Sequence, residues 1–165
     1  MLDTIKKLRF TGHNKVLLIS VPKECEALVI EMKKQAKVDT TIDKKSSYSA
    51  AMLFVQSKAD LKKQGPLITK QLGEDAVFWV AYPKKTSKKY SSDVNRDIKW
   101  SEEGVGEYET VSAIAIDDDW SALRFRKPEK IKSMIRRQSM AMTDEGKKKT
   151  VNKKNEAISK PALKK

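Results

Sequence analysis

The densest group of side chains suited to chemistry lies in "AYPKKTSKKYSSD", Ala81 to Asp93, directly after the apolar run "AVFWV". Lys84 and Lys85 leave that run, Thr86 and Ser87 follow with hydroxyls, and Ser91 or Ser92 can cap a helix beginning at Asp93. Cations, hydroxyl donors and the free amides of a helix start suit a phosphate, sulfate or carboxylate, because a helix N-terminus carries partial positive charge. On the expected helix Asp93, Arg96 and Asp97 stand at i, i+3 and i+4. That spacing makes a surface ion pair; alternatively, Arg96 clamps an acidic ligand with its planar fork while Asp93 or Asp97 orients it. The competing reading of the whole stretch is solvated lysines and a plain helix cap.

Other reactive residues are sparser. Asp117, Asp118 and Asp119 could supply oxygen ligands to Mg²⁺, but consecutive side chains at a turn diverge, and hairpin turn chemistry is the favoured role. With one cysteine, Cys25, and one histidine, His13, neither an intramolecular disulfide nor the usual zinc site can be assembled. Cys25 falls near a helix start, yet without a His/Asn constellation it reads as a small buried residue. Trp79, Trp100 and Trp120 read as core aromatics, and "RRQS" at Arg136–Ser139 resembles a kinase target only as short motifs do by chance.

Elements to position the loop are readable from periodicity. "KVLLIS" is a buried strand, and Pro22 opens a helix whose Ala27, Leu28, Ile30 and Met32 form an inward side. "VDTTI" (Val38–Ile42) is a short edge strand and "AAMLFVQS" a fully buried one. Ser57 caps a helix from Lys58 that Pro66 should kink or split and Gly73 should end. "AVFWVAY" is the next strand. A helix "DVNRDIKWSEE" follows, turning Val94, Ile98 and Trp100 inward and stopping at Gly104 and Gly106. "TVSAIAI" and "WSALRFR" around the aspartates form an antiparallel hairpin. The order β-α-β-β-α-β-α-β-β predicts an α/β, three-layer, mainly parallel sheet with a C-terminal antiparallel hairpin. One further helix, "PEKIKSMIRR", would present Ile131, Met134 and Ile135 on one side.

Net charge is +13 over 165 residues, but residues 127–165 hold 13 Lys/Arg against 4 Asp/Glu, so +9 of it belongs to that stretch. Residues 1–137 are therefore expected as one domain and 138–165 as a disordered lysine-rich tail. The mildly basic body is weak support for a dedicated nucleic-acid domain. Lys147, Lys148, Lys149, Lys153 and Lys154 could still contact phosphates without sequence preference. No apolar run approaches the ~20 residues of a membrane helix, and the N-terminus lacks the apolar core of a signal peptide, so no membrane contact and a reduced, cytoplasmic location are expected.

The second half of this pattern resembles that of class I S-adenosylmethionine-dependent methyltransferases. In that family the first strand runs into a glycine-rich loop beside the cofactor; here "VLLIS" runs into "VPKECEA", which has no glycine. More closely, "VLLISVP", "AMLFVQSKADL", "VFWVAYPKK", "SSDVNRD" and "AIDDDWSALRFRK" are similar to the bacterial domain-of-unknown-function 3052 family, over about residues 7–127. That resemblance implies a Rossmann-like, methyltransferase-like fold and no particular reaction. The function expected is a non-catalytic Rossmann-like module that binds an anionic small ligand or a protein partner through Lys84, Lys85, Thr86, Ser87, Ser92 and Arg96, with Asp93 and Asp97 orienting it. A degenerate methyltransferase relative is the alternative. It requires an acid after the second strand to hold a ribose, for which Asp43 stands nearby; no cofactor is specified by the residues themselves.

Overall fold

A computed structural model describes residues 1–131. The helix expected through Met134 and Ile135, the domain end at 137 and the lysine-rich tail lie outside the described residues.

Three strands, β1 (Lys15–Ile19), β3 (Tyr48–Phe54) and β4 (Leu72–Pro83), carry the continuous apolar runs Val16–Ile19, Ala50–Phe54 and Ala76–Tyr82 because both of their faces are covered there. Val16, Leu18, Ala50, Met52, Trp79 and Ala81 point to one side; Leu17, Ile19, Ala51, Leu53, Phe78 and Val80 point to the other. Each set needs its own cover. On the first side lie α1 (Leu2–Lys7), with Ile5 and Leu8, and α2 (Glu26–Lys33), which follows a single 3₁₀ turn at Lys23–Cys25. The second side is closed by α3 (Lys58–Thr69) and by the chain around Val94, Trp100, Val105 and Tyr108.

The six strands run in the order β2-β1-β3-β4-β6-β5, with β2 at Lys37–Asp39, β5 at Glu109–Ala115 and β6 at Trp120–Arg126. The first four are mutually parallel, and β6 is antiparallel to both β4 and β5. The closing strand is thus inserted between β4 and its own hairpin mate. All three tryptophans are buried, as expected, and each such side chain contributes about 1.5–3 kcal/mol through burial.

Several local expectations are corrected. Around α2 it is Leu28, Val29 and Met32 that face inward, while Ala27 is exposed and Ile30 is 60% exposed. Helix α3 runs through Pro66 unbroken to Thr69; Gly73 lies inside β4 and stops nothing. Ser57 does cap it, accepting from the Asp60 amide at 3.1 Å. The helix expected from Asp93 to Glu103 does not form. Ser92 Oγ accepts from the Val94 amide (3.0 Å) and Asn95 Oδ1 from the Asp97 amide (2.8 Å), two local bonds that compete with helical ones. Only a wide turn at Ser101–Val105 remains, ended by Gly104 (φ 144°) and Gly106 (φ 62°). Val94 and Trp100 are nonetheless buried, and Ile98 is partly so. "PEK" at Pro128–Lys130 is a 3₁₀ turn. Helix α1 was not evident from periodicity, being only six residues long.

Candidate functional site

In an open α/β sheet, ligands favour the crevice at the carboxyl ends of the parallel strands. Four segments meet there: the turn after β1, the start of α3 after β3, the loop after β4, and the β5–β6 turn. Ser20 leaves β1 with φ 59°, so the glycine-less loop still makes a left-handed turn, on a residue for which it is strained. That turn delivers Glu24 and Cys25 to the crevice.

Glu24 is the hub. Its carboxylate accepts from the Tyr90 hydroxyl (2.6 Å) and the Trp120 indole N–H (2.9 Å). The Tyr90 ring lies 5.0 Å from that of Trp120, which also takes the Phe54 ring edge-on at 5.3 Å. The loop after β4 is tied down further along. Lys84 donates its amide to the Asp119 carbonyl (2.8 Å), and Ser87 Oγ donates to Asp119 Oδ1 (2.8 Å) while accepting from the Lys89 and Tyr90 amides. Asp117 accepts from the Asp119 and Trp120 amides at 2.8 Å, so the hairpin-turn reading of the aspartates holds, and the Cys25 thiol points at its other oxygen (3.8 Å). Among the described residues no His/Cys/Asp/Glu group could hold a metal ion.

These contacts set the protonation states. The bonds from Tyr90 and then Trp120 pull the Glu24 carboxyl down from 4.5 to about 2. The bond to Glu24 pushes the Tyr90 phenol up to about 12. Burial first, then the charges of Asp117 and Glu24, push the Cys25 thiol up to about 12. Since Glu24 is depressed in the folded state, its contribution to stability is complete above about pH 4.5 and is lost as pH falls from there toward 2. Urea midpoints of the natural protein and Glu24→Gln, followed from neutral to strongly acid pH, should therefore differ at neutrality and converge across that window. A gap independent of pH would show that the carboxylate is not held this way.

The eight candidate residues divide between two anchors. Lys84 to Ser87 hang on Asp119, with Ser87 fully engaged and Lys84, Lys85 and Thr86 making no side-chain bond among the described residues. Ser92 to Asp97 lie against α3 and Tyr82. Asp93 Oδ1 accepts from the Lys58 amide (2.8 Å), placing an anion of the chain itself on the first turn of α3. Glu103 adds ion pairs to Lys58 (3.8 Å) and Lys62 (3.6 Å). Arg96 is exposed; its charge and that of Asp97 act on the Tyr82 phenol, whose pKa burial raises. Because no helix begins at Asp93, the dipole expected beneath the loop is absent, and the i, i+3, i+4 alignment of Asp93, Arg96 and Asp97 is not realised. Asp43 is tied into its own turn, accepting from the Lys45 amide (2.9 Å) and Ser46 Oγ (2.8 Å). No spacing or motif pairs Glu24 with Tyr90: they are 66 positions apart and meet only through topology.

The strand order, with four parallel strands and a closing hairpin whose last strand is inserted, defines a Rossmann-like, methyltransferase-like α/β fold. No family model matches the chain, and no curated protein matches it. Among solved structures it is similar to the N-methyltransferase NodS from Bradyrhizobium japonicum, at 8% identity and TM-score 0.47 over 76% of this chain and 93% of that one. An rRNA methylase from Escherichia coli aligns at 14% identity and TM-score 0.42, over 76% of this chain and 63% of that one. A putative methyltransferase, SMU.776, complexed with SAH, aligns at 10% identity and TM-score 0.40, over 76% and 50%. No helix of the described residues is long and apolar enough to cross a membrane.

Proposed function

We propose that this chain is a non-catalytic Rossmann-like module that binds an anionic small ligand on the rim of the crevice, through Lys84, Lys85 and Thr86 of the loop after β4 and Arg96 of the segment anchored on α3. One observation carries this: the groups inside the crevice are spent on one another, whereas the donors on its rim are not. A carboxylate at about 2 is a poor general base, and a thiol or phenol at about 12 is a poor nucleophile or acid near neutrality. Ser87, Ser92 and Asp93 hold the rim in place rather than contacting ligand, and Asp97, next to Arg96, orients the bound ligand. Kinship with the domain-of-unknown-function 3052 proteins is proposed with it, on the five sequence motifs.

A thermal-shift panel on the full chain tests the assignment, using S-adenosylmethionine, its demethylated product, nucleotides, sugar phosphates and simple anions. A ligand at a hundred times its dissociation constant stabilises by about 2.7 kcal/mol, which moves the midpoint by several degrees. The expected result is that a shift by at least one anion of the panel disappears in Lys84→Ala/Lys85→Ala. If every shift seen with the natural protein were undiminished in that double variant, the rim would be removed from the site. A shift confined to S-adenosylmethionine and its product would favour the methyltransferase alternative, and silence throughout would favour a protein partner. Salt-sensitive binding of single-stranded DNA that is lost on deleting residues 138–165 would instead assign nucleic-acid contact to the lysines at 147–149 and 153–154.

A further inference from the structure

Away from the crevice, on the side of the sheet that carries α1 and α2, one buried side-chain donor is left unpaired among the described residues. Arg124 on β6 lies beside Trp79 of β4 and Ser112 of β5 in register, so the three side chains share a face. Its Nε is buried and has no hydrogen-bond partner among the described residues, and a buried donor left unpaired calls for a physical explanation. The carboxylate whose charge acts on Arg124, Asp75, is bound elsewhere: it accepts from Arg126 Nε (3.1 Å) and Nη2 (2.8 Å) in a bidentate fork.

A second guanidinium is brought to the same place. The Trp79 indole donates to the Leu8 carbonyl (2.8 Å), which sets the next residue, Arg9, over that part of the sheet. Arg9 is held in the left-handed region (φ 59°) from both sides: its amide donates to the Lys6 carbonyl (3.0 Å), and its carbonyl accepts from His13 Nε2 (3.1 Å). Such a conformation persists where the surroundings impose it, and here it sets the backbone from which an exposed arginine projects, its charge acting on Arg124. A bulge between Thr110 and Ser112 re-aims β5 opposite Arg124.

We propose that Arg9 and Arg124, with the Ser112 hydroxyl, form a binding site for a phosphate dianion, free or as a small-molecule monoester. Arg9, Arg124 and Arg126 outnumber Asp75 and Glu109, the buried carboxylate opposite Arg126 in register, so positive charge is in excess on this side, and a dianion is drawn to it more strongly than a singly charged carboxylate or phosphodiester. Two guanidiniums also present more N–H donors than the two oxygens of a carboxylate can accept, whereas a tetrahedral phosphate can take them. Burial and then the charges of Arg9 and Arg126 hold the Arg124 pKa below its ordinary value, an unfavourable clustering of positive charge that an anion would relieve.

The test uses the full chain at about pH 8, above the second ionisation of phosphate, with inorganic phosphate titrated at constant ionic strength and dimethyl phosphate as the monoanionic comparison. Phosphate should raise the melting midpoint saturably, and dimethyl phosphate should not. Arg9→Asn keeps a residue that tolerates the left-handed backbone and should weaken phosphate binding by about tenfold or more, the loss expected for a charge-assisted pair. Arg124→Leu should abolish the phosphate response and, without phosphate, should melt no lower than the natural protein, since it removes a desolvated charge beside two like charges. Lys84→Ala/Lys85→Ala should respond to phosphate here as the natural protein does, which separates this site from the rim. An equal response in Arg9→Asn and Arg124→Leu would mean a general salt effect and overturn the site. A phosphate-free melting loss in Arg124→Leu would assign Arg124 a structural role instead, and an equal response to dimethyl phosphate would overturn the dianion.

Discussion

Gly65→Ala should lower the stability of this protein by about 3 kcal/mol, roughly a ten-degree fall in melting midpoint, although alanine is the better helix former. Gly65 sits in α3, where glycine alone costs the helix about 1 kcal/mol relative to alanine. What the glycine permits is contact between backbones. A Cβ built at Gly65 would overlap the Gly104 carbonyl, and one at Gly104 would lie 2.5 Å from the Leu61 carbonyl oxygen. Neither obstacle is the flexible end of a side chain, so relief requires α3 and the turn at Ser101–Val105 to part. That would disturb the Glu103 ion pairs to Lys58 and Lys62 and, beyond them, the Asp93 cap that ties the candidate loop to α3. Gly12→Ala is the comparison: Gly12 has φ 88° but open space around its Cβ position, so only backbone strain, of order 1 kcal/mol, is expected. Chemical denaturation of both variants would decide the matter. If Gly65→Ala costs no more than Gly12→Ala, the close approach is wrong.

The fold was legible where pattern and burial coincide. "KVLLI", "AAMLF" and "AVFWV" are continuous apolar runs because each faces two helical layers, and the hairpin around Asp117 announces itself by its turn residues. The sequence misleads at residues 93–103, where the apolar spacing of Val94, Ile98 and Trp100 satisfies a helix and burial but does not require both. There Ser92 and Asn95 satisfy neighbouring amides locally, and the chain crosses the sheet in turns with its apolar residues still inward. α2 was misread by one position for a related reason: the 3₁₀ turn at Lys23–Cys25 precedes it, so a helical wheel started at Pro22 carries the wrong phase, and Val29 takes the place assigned to Ile30. At the candidate site, Lys84 and Lys85 are on the rim where composition put them. The closure of the crevice was not readable, because Glu24 meets Tyr90 and Trp120 across separations of 66 and 96 residues that only the strand order brings together.

Trp120 is the residue on which that closure depends, and Trp120→Ala should cost about 3–5 kcal/mol. The side chain is fully buried between Phe54 and Tyr90 and stands at the start of β6, opposite Pro83 at the end of β4. Removing it leaves a cavity beneath the loop and takes one of two donors from Glu24. Trp120→Phe separates these effects: it keeps a ring against Phe54 and loses the indole N–H, for an expected cost of about 1–2 kcal/mol. In that background Glu24→Gln should cost less than it does alone, and the cycle over the two substitutions should show coupling of about 0.5–1 kcal/mol. The loop should respond in the same order, with hydrogen exchange at the Lys89 and Tyr90 amides, now shielded through Ser87, fastest in Trp120→Ala and intermediate in Trp120→Phe. Additive costs, with exchange unchanged at both amides, would mean that the Glu24–Tyr90–Trp120 cluster does not hold the loop. The rim lysines would then stand on the Ser87–Asp119 contact alone, and Asp119→Ala, not Trp120→Phe, would be the substitution that frees them.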